Sequence, residues 1–118
     1  MTGIDQLNNE IIRQLQYYSR DVAEKVEVAK NETANKLLAN IKRDSPKRRP
    51  RYAKGWRIKR TPKKLIIHNK TDYQLTHLLE NGHAKRNGER MNGEPHIRPN
   101  EEIAVAEFLN KVERAIDQ

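Results

Sequence analysis

The sequence contains no cysteine, only two serines, one tryptophan and one phenylalanine in 118 residues. Without cysteine there is no disulfide framework and no thiolate metal site. Neither Ser19 nor Ser45 lies in a Gly-x-Ser-x-Gly elbow, so that route to nucleophilic catalysis is closed. No apolar run approaches the roughly 18–20 residues of a membrane span, and the N-terminus lacks the apolar core of a signal peptide. These absences predict a soluble protein made in a cytoplasm, without a membrane partner. Hydrophobic residues (35%) barely outnumber charged ones (34%), so the core is modest or a partner covers part of the apolar surface. Four histidines are present, but none forms a His-Glu-x-x-His frame or a helical i,i+4 pair. Glu80 and His83 stand three apart, with Gly82 breaking the helix between them. No metal, cofactor, small-molecule substrate or enzymatic activity is expected.

Positive charge is abundant and unevenly placed. The net charge is +8, yet Lys42 to Lys64 hold 12 of the 24 basic residues and one acid, Asp44, and so carry +11. The rest of the chain is slightly acidic. A single basic block suits nucleic acid or an acidic protein surface. Tyr52 and Trp56 add aromatics, but no base-reading motif is visible, so any DNA contact would be non-specific and to phosphate.

The hydrophobic pattern predicts one α+β domain over residues 1–118. An N-terminal helix fills residues 1–43, with Thr2 and Asp5 at capping-box spacing. Its stripe of Ile11, Leu15, Tyr18, Val22, Val26, Ala29, Thr33 and Leu37 repeats every eleven residues, and neither Gly nor Pro interrupts it. Forty helical residues span about 60 Å. A compact domain of this length has a radius of gyration of about 13–14 Å. The helix must therefore break, near Tyr18-Ser19 or Asn31, or project onto another subunit. Ser45-Pro46 ends it. Residues 52–69 read as a hairpin of a small antiparallel sheet. Tyr52, Trp56 and Ile58 share one face of its first strand, Leu65 and Ile67 one face of the second, and Arg60 to Lys63 form the turn. Trp56 belongs in the core, and Gly55 beside it marks a bulge or a close backbone approach.

Residues 71–99 organise the remainder. A short helix over 72–81 is capped by Asp72, has Leu75, Leu78 and Leu79 on one face, and stops at Gly82. A loop over 82–99 holds His83, Lys85, Arg86, Arg90 and His96. Asn92-Gly93 marks a tight turn that makes Glu89 to Ile97 a small arm. The C-terminal helix, 100–117, presents Ile103, Ala106 or Val105, Leu109, Val112 and Ile116 on one face, which is expected to pack on the sheet. His83 and His96 read as hydrogen-bonding anchors of the loop.

The run Leu78-Leu79-Glu80-Asn81-Gly82-His83, the basic Arg86-Asn87-Gly88 loop and the exit Pro95-His96-Ile97-Arg98-Pro99 resemble the signature of small head–tail joining, or tail-completion, proteins of long-tailed bacteriophages. Ser45-Pro46 with Tyr52-Ala53-Lys54-Gly55-Trp56, and Tyr73-Gln74-Leu75 after Asn69-Lys70, resemble two further segments of that family. Where it usually has Arg-Thr-Gly before the tyrosine, this chain has Arg49-Pro50-Arg51. The resemblance spans roughly Asp44 to Ile116. It implies a virion structural protein at the head–tail interface, made in the host bacterium. It also implies a homo-oligomeric ring, expected as a hexamer, among other connector and tail-tube proteins. In such a ring the genome passes through the lumen, where a basic block could touch it non-specifically.

On this reading Lys47, Arg48, Arg49, Arg51, His83, Lys85, Arg86, Arg90 and His96 are candidates for subunit or DNA contact. Arg86 and Arg90 would meet acids of a neighbour's long helix, such as Asp21, Glu24, Glu27 and Glu32. Two alternatives stay open. One is a small basic nucleic-acid-binding protein. The other is a metal-free RNase-type toxin using His83, Lys85, Arg86 and His96 as acid, base and phosphate clamp.

Overall fold

Gly3 to Asp44 forms a single unbroken helix, α1, in the computed structural model, which describes residues 3–62 and 64–117. Thr2 and the turn residue Lys63 lie outside the described residues. The helix does not break at Tyr18-Ser19 or at Asn31; it projects, and the molecule measures 85 × 22 × 20 Å with a radius of gyration of 21.8 Å. Continuity follows from a 42-residue run without an internal helix breaker, laced by the pairs Glu10–Arg13, Asp21–Lys25 and Glu27–Lys30 on its surface. At its end the Ser45 backbone N–H (2.9 Å) and hydroxyl (2.5 Å) both donate to the Ile41 carbonyl, and Pro46 bars a further turn.

The C-terminal helix, α4 (Arg98–Asp117), runs antiparallel along α1. Asn100 donates to Asp44 (2.9 Å), Lys36 pairs with Glu107 (2.7 Å), Lys111 with Glu32 (3.0 Å), and the Tyr18 hydroxyl donates to the Ile116 carbonyl (2.6 Å). Its main partner is thus α1 rather than the sheet, which meets it only along a groove. The buried seam uses small side chains, Ala29 and Ala34 on α1 and Ala104 and Ala115 on α4. The apolar face expected to turn inward is rotated away, with Ile103, Val105, Leu109 and Ile116 about half exposed. Alanines let two helix backbones approach closely, and that contact sets the rotation.

Two short antiparallel hairpins complete the fold. In the first, β1 (Trp56–Arg60) pairs with β2 (Leu65–Asn69) in the register Trp56↔Asn69, Ile58↔Ile67 and Arg60↔Leu65. The expected strand from Tyr52 is corrected: Pro50–Lys54 is a single helical turn, α2, with Pro50 at its start. Proline's preset φ and missing N–H suit that position. Gly55 closes it, and a Cβ there would collide with the Thr71 hydroxyl and come within 2.9 Å of Asn69 Oδ1, so the anticipated close approach is real.

A 3₁₀ turn (Tyr73–Leu75) leads into α3 (Thr76–Asn81). The Asp72 side chain makes no capping hydrogen bond; its carboxylate takes both Arg51 Nε (3.0 Å) and an Arg51 terminal nitrogen (2.5 Å) instead. Gly82 follows at φ +84°, where any side chain is strained. The second hairpin pairs β3 (Gly82–Ala84) with β4 (Arg90–Asn92) and turns at Lys85–Glu89. The arm therefore spans Gly82 to Asn92, not Glu89 to Ile97. Gly88 supplies the positive φ, while Gly93 lies flat against the backbone of Glu80 and Asn81. The core gathers where these pieces meet: Ile41, Tyr52 and Trp56, packed by Leu37, Leu38, Ile67, Leu75, Leu79 and Ile97. Among the described residues no helix is long and apolar enough to cross a membrane.

Candidate functional site: a buried clasp under a basic surface

Glu80, on α3, reaches across to the start of α4. Its Oε1 accepts the backbone N–H groups of His96 (2.8 Å) and Ile97 (2.9 Å), and its Oε2 accepts that of Arg98 (3.0 Å). A helix leaves its first N–H groups without intrahelical partners and has a positive end there, so a carboxylate is well suited to this place. Burial pushes the Glu80 carboxyl up, but the N–H groups of His96, Arg98 and Ile97 outweigh it and hold the group below the usual carboxylate range.

His96 is fully buried beside it. Its Nδ1 lies 2.7 Å from the Glu94 carbonyl, which can only accept, so Nδ1 carries the proton. Nε2 is then the acceptor for the Tyr52 hydroxyl at 2.7 Å. The Tyr52, Trp56 and His96 rings meet edge-on, with centroids 5.6 to 6.2 Å apart. Tyr52 is also fully buried, and burial, with the nearby Glu80 charge, pushes its hydroxyl up to about 12 against the opposing hydrogen bond donated by Thr76. The His96 carbonyl accepts from Asn100 (2.8 Å), and the Glu94 N–H donates to the Leu79 carbonyl (2.8 Å).

Tyr52, Glu80 and His96 therefore form a closed clasp that joins α2, α3 and the start of α4. Of the candidates for subunit or DNA contact, His96 is fully buried, with both ring nitrogens engaged within the chain. The paired His83 and His96 that RNA cleavage would use do not share an accessible surface. Sequence reading missed the clasp, although both halves of the Leu-Glu-x-Gly-His and Pro-His-Ile signature contribute a residue to it.

The other candidates are at the surface, in two groups that the fold brings together. Arg48 bridges to Glu94 (3.0 Å), tying the loop after α1 to the segment before α4. Arg48, Arg49 and His83 line one cleft of about 420 Å³, with Leu78, Leu79 and Met91 as its apolar wall. His83 Nδ1 is buried there without a hydrogen-bond partner. Lys47 donates to the Lys42 carbonyl (2.6 Å), and Arg51 is engaged by Asp72. On the second hairpin Lys85 and Arg86 are exposed at the turn, and Arg90 donates to the Asn81 carbonyl (2.9 Å). Among the described residues no group of three or more His, Asp or Glu side chains is placed to hold a metal ion.

The family model described as "Bacteriophage HK97-gp10, putative tail-component" matches residues 9–82. No curated protein and no solved structure matches the chain. The matched segment runs from the first third of α1 through α2, the first hairpin and α3 to Gly82, and so includes Tyr52 and Glu80 of the clasp. With more than half of its length matched, this chain belongs to the HK97-gp10-like family of bacteriophage tail components.

Proposed function

We propose that this protein is a head–tail connector subunit of the tail-completion type, which joins tail to head as a member of a homo-oligomeric ring. Family membership supports a structural role in the virion. The observation that carries the finer reading is the shape. A rod 85 Å long and about 20 Å wide, with α1 running far past α4, leaves apolar surface that one chain cannot cover. A ring needs a heterologous contact, one patch meeting a different patch on the next copy, with the rotation closing. The second hairpin, with Lys85 and Arg86 exposed at its turn, is the second feature that reaches toward a neighbour. Of the acids along α1 that could receive it, Asp21, Glu27 and Glu32 already have lysine partners within the chain, which leaves Glu24 the most available. The basic block faces the lumen and its DNA, or acidic neighbours.

The test is made on particles. With Arg86 and Arg90 both changed to Glu, electron microscopy is expected to find separate heads and tails, while the variant still folds. Normal joining, with the variant incorporated at wild-type stoichiometry, overturns the hairpin contact. A second expected outcome concerns the block. Changing Lys47, Arg48, Arg49 and Arg51 to Ser leaves the fold intact, because the Arg48–Glu94 and Arg51–Asp72 pairs involve exposed arginines. It weakens duplex DNA binding and flattens its salt dependence. Absence of binding by the wild type at low salt would assign the block to protein contacts.

A further inference from the structure

The eleven-residue stripe on α1 is only partly covered. Alongside α4 its residue Ala29 is buried, as is the neighbouring Ala34, but α4 ends where Ile116 meets Tyr18. Beyond that point Leu7, Ile11, Ile12, Leu15 and Tyr18 are 45% to 62% exposed. From Gly3 to Tyr18 the helix overhangs by about 22 Å at about 1.5 Å per residue. Near the other end, a groove of about 440 Å³ opens between α1, β2 and α4, walled by Leu37, Leu65, Ile67, Val105, Phe108 and Leu109. The overhang cannot fill the groove of its own chain. Both features belong to one unbroken helix, and Ile11 and Ala34 are about 35 Å apart along it.

We propose, building on the ring reading above, that the overhang of one copy seats its Leu7–Ile11–Leu15–Tyr18 stripe in the groove between α1, β2 and α4 of the next copy. Each chain carries one ridge and one groove, so the contact is heterologous and propagates from copy to copy. Pairing two overhangs with each other would leave both grooves open. The areas agree. With about half of each of its five large side chains exposed, the overhang offers on the order of 500 Å², which with the groove wall comes to about the 1,000 Å² that a specific contact needs. The charges are compatible: the overhang, residues 3–18, has two acids and one arginine, Arg13, which pairs with Glu10, and the groove opens beside two lysines, Lys30 and Lys64, and one acid, Glu101.

The absence of native cysteine makes the test direct. Full-length Leu15→Cys and Leu109→Cys proteins are mixed at millimolar concentration and oxidised. The mixed Leu15–Leu109 disulfide is expected to exceed both homodimers. Adding Ile11→Asp to the Leu15→Cys copy should lower it about tenfold, since a buried unpaired charge is costly. Circular dichroism checks that the helix persists in each variant. Dominance of the Leu15–Leu15 product would mean that overhangs pair with each other, and it overturns the proposal. So does a folded mixture without the mixed disulfide. The same pair of cysteines placed in one chain within phage particles separates the two readings. Joined particles without the cross-link overturn the overhang-in-groove contact and keep the connector role. A cross-link in the purified protein, with no copy of it in particles, does the reverse.

Discussion

Trp56→Ala is expected to remove about 3–5 kcal/mol of stability, the usual cost of emptying a large aromatic site. Trp56 is 3% exposed and stands at the centre of the small core, edge-on to both Tyr52 and His96. Its indole N–H donates to the Ser45 hydroxyl (2.9 Å), and that hydroxyl in turn donates to the last turn of α1. The substitution therefore leaves a cavity and also loosens the stop of the long helix. Trp56→Phe keeps most of the volume and loses the hydrogen bond, so its cost is expected to be smaller, about 1–2 kcal/mol. Chemical unfolding followed by circular dichroism measures both. An alanine variant with the wild-type midpoint would show that this core carries no stability.

Glu80→Ala is expected to cost about 2–4 kcal/mol, because it strands three backbone N–H groups at the start of α4 that now share one carboxylate. Glu80→Gln retains the shape and one acceptor oxygen, and loses the charge. The difference between wild type and Glu80→Gln should depend on pH. The folded Glu80 carboxyl lies below its unfolded value of about 4.3. Its contribution is thus fully present above that value and is lost as pH falls through the folded one. Asp44, held low by hydrogen bonds from Arg43 and Asn100 against burial, titrates in the same direction. Asp44 is common to both proteins and cancels in the difference. Unfolding midpoints measured from neutral pH down to about pH 3 are expected to converge as the carboxylate protonates. A gap between the two proteins that stays constant across that range would show that the charge of Glu80 does not stabilise α4.

Some of this protein was determined by the sequence alone. The helical run of α1 and its stop needed only a long stretch without Gly or Pro and the Ser45-Pro46 pair, while the choice between a break and a projection was left to the fold. Trp56 in the core, the tight approach at Gly55 and the turn at Gly82 are local requirements of single residues. Other features were decided by tertiary structure. Tyr52 and Trp56 are four apart, and a strand and a helical turn both place such a pair on one side. The pattern therefore could not separate the two; in the closed core Tyr52 meets Trp56 and His96 from a helical turn. On α4 the Ala104–Phe108 face and the Val105–Leu109 face are both apolar. The alanines of α1, far away in sequence, took Ala104 and Ala115 into the buried seam and left Val105 and Leu109 about half exposed. His96 stands between two prolines in a polar loop, where composition suggests exposure. Its burial depends on Glu80 and Tyr52, 16 and 44 residues earlier. Local propensity cannot register a hydrogen-bond partner at that distance, and only the closed chain brings the carboxylate, the phenol and the ring into contact.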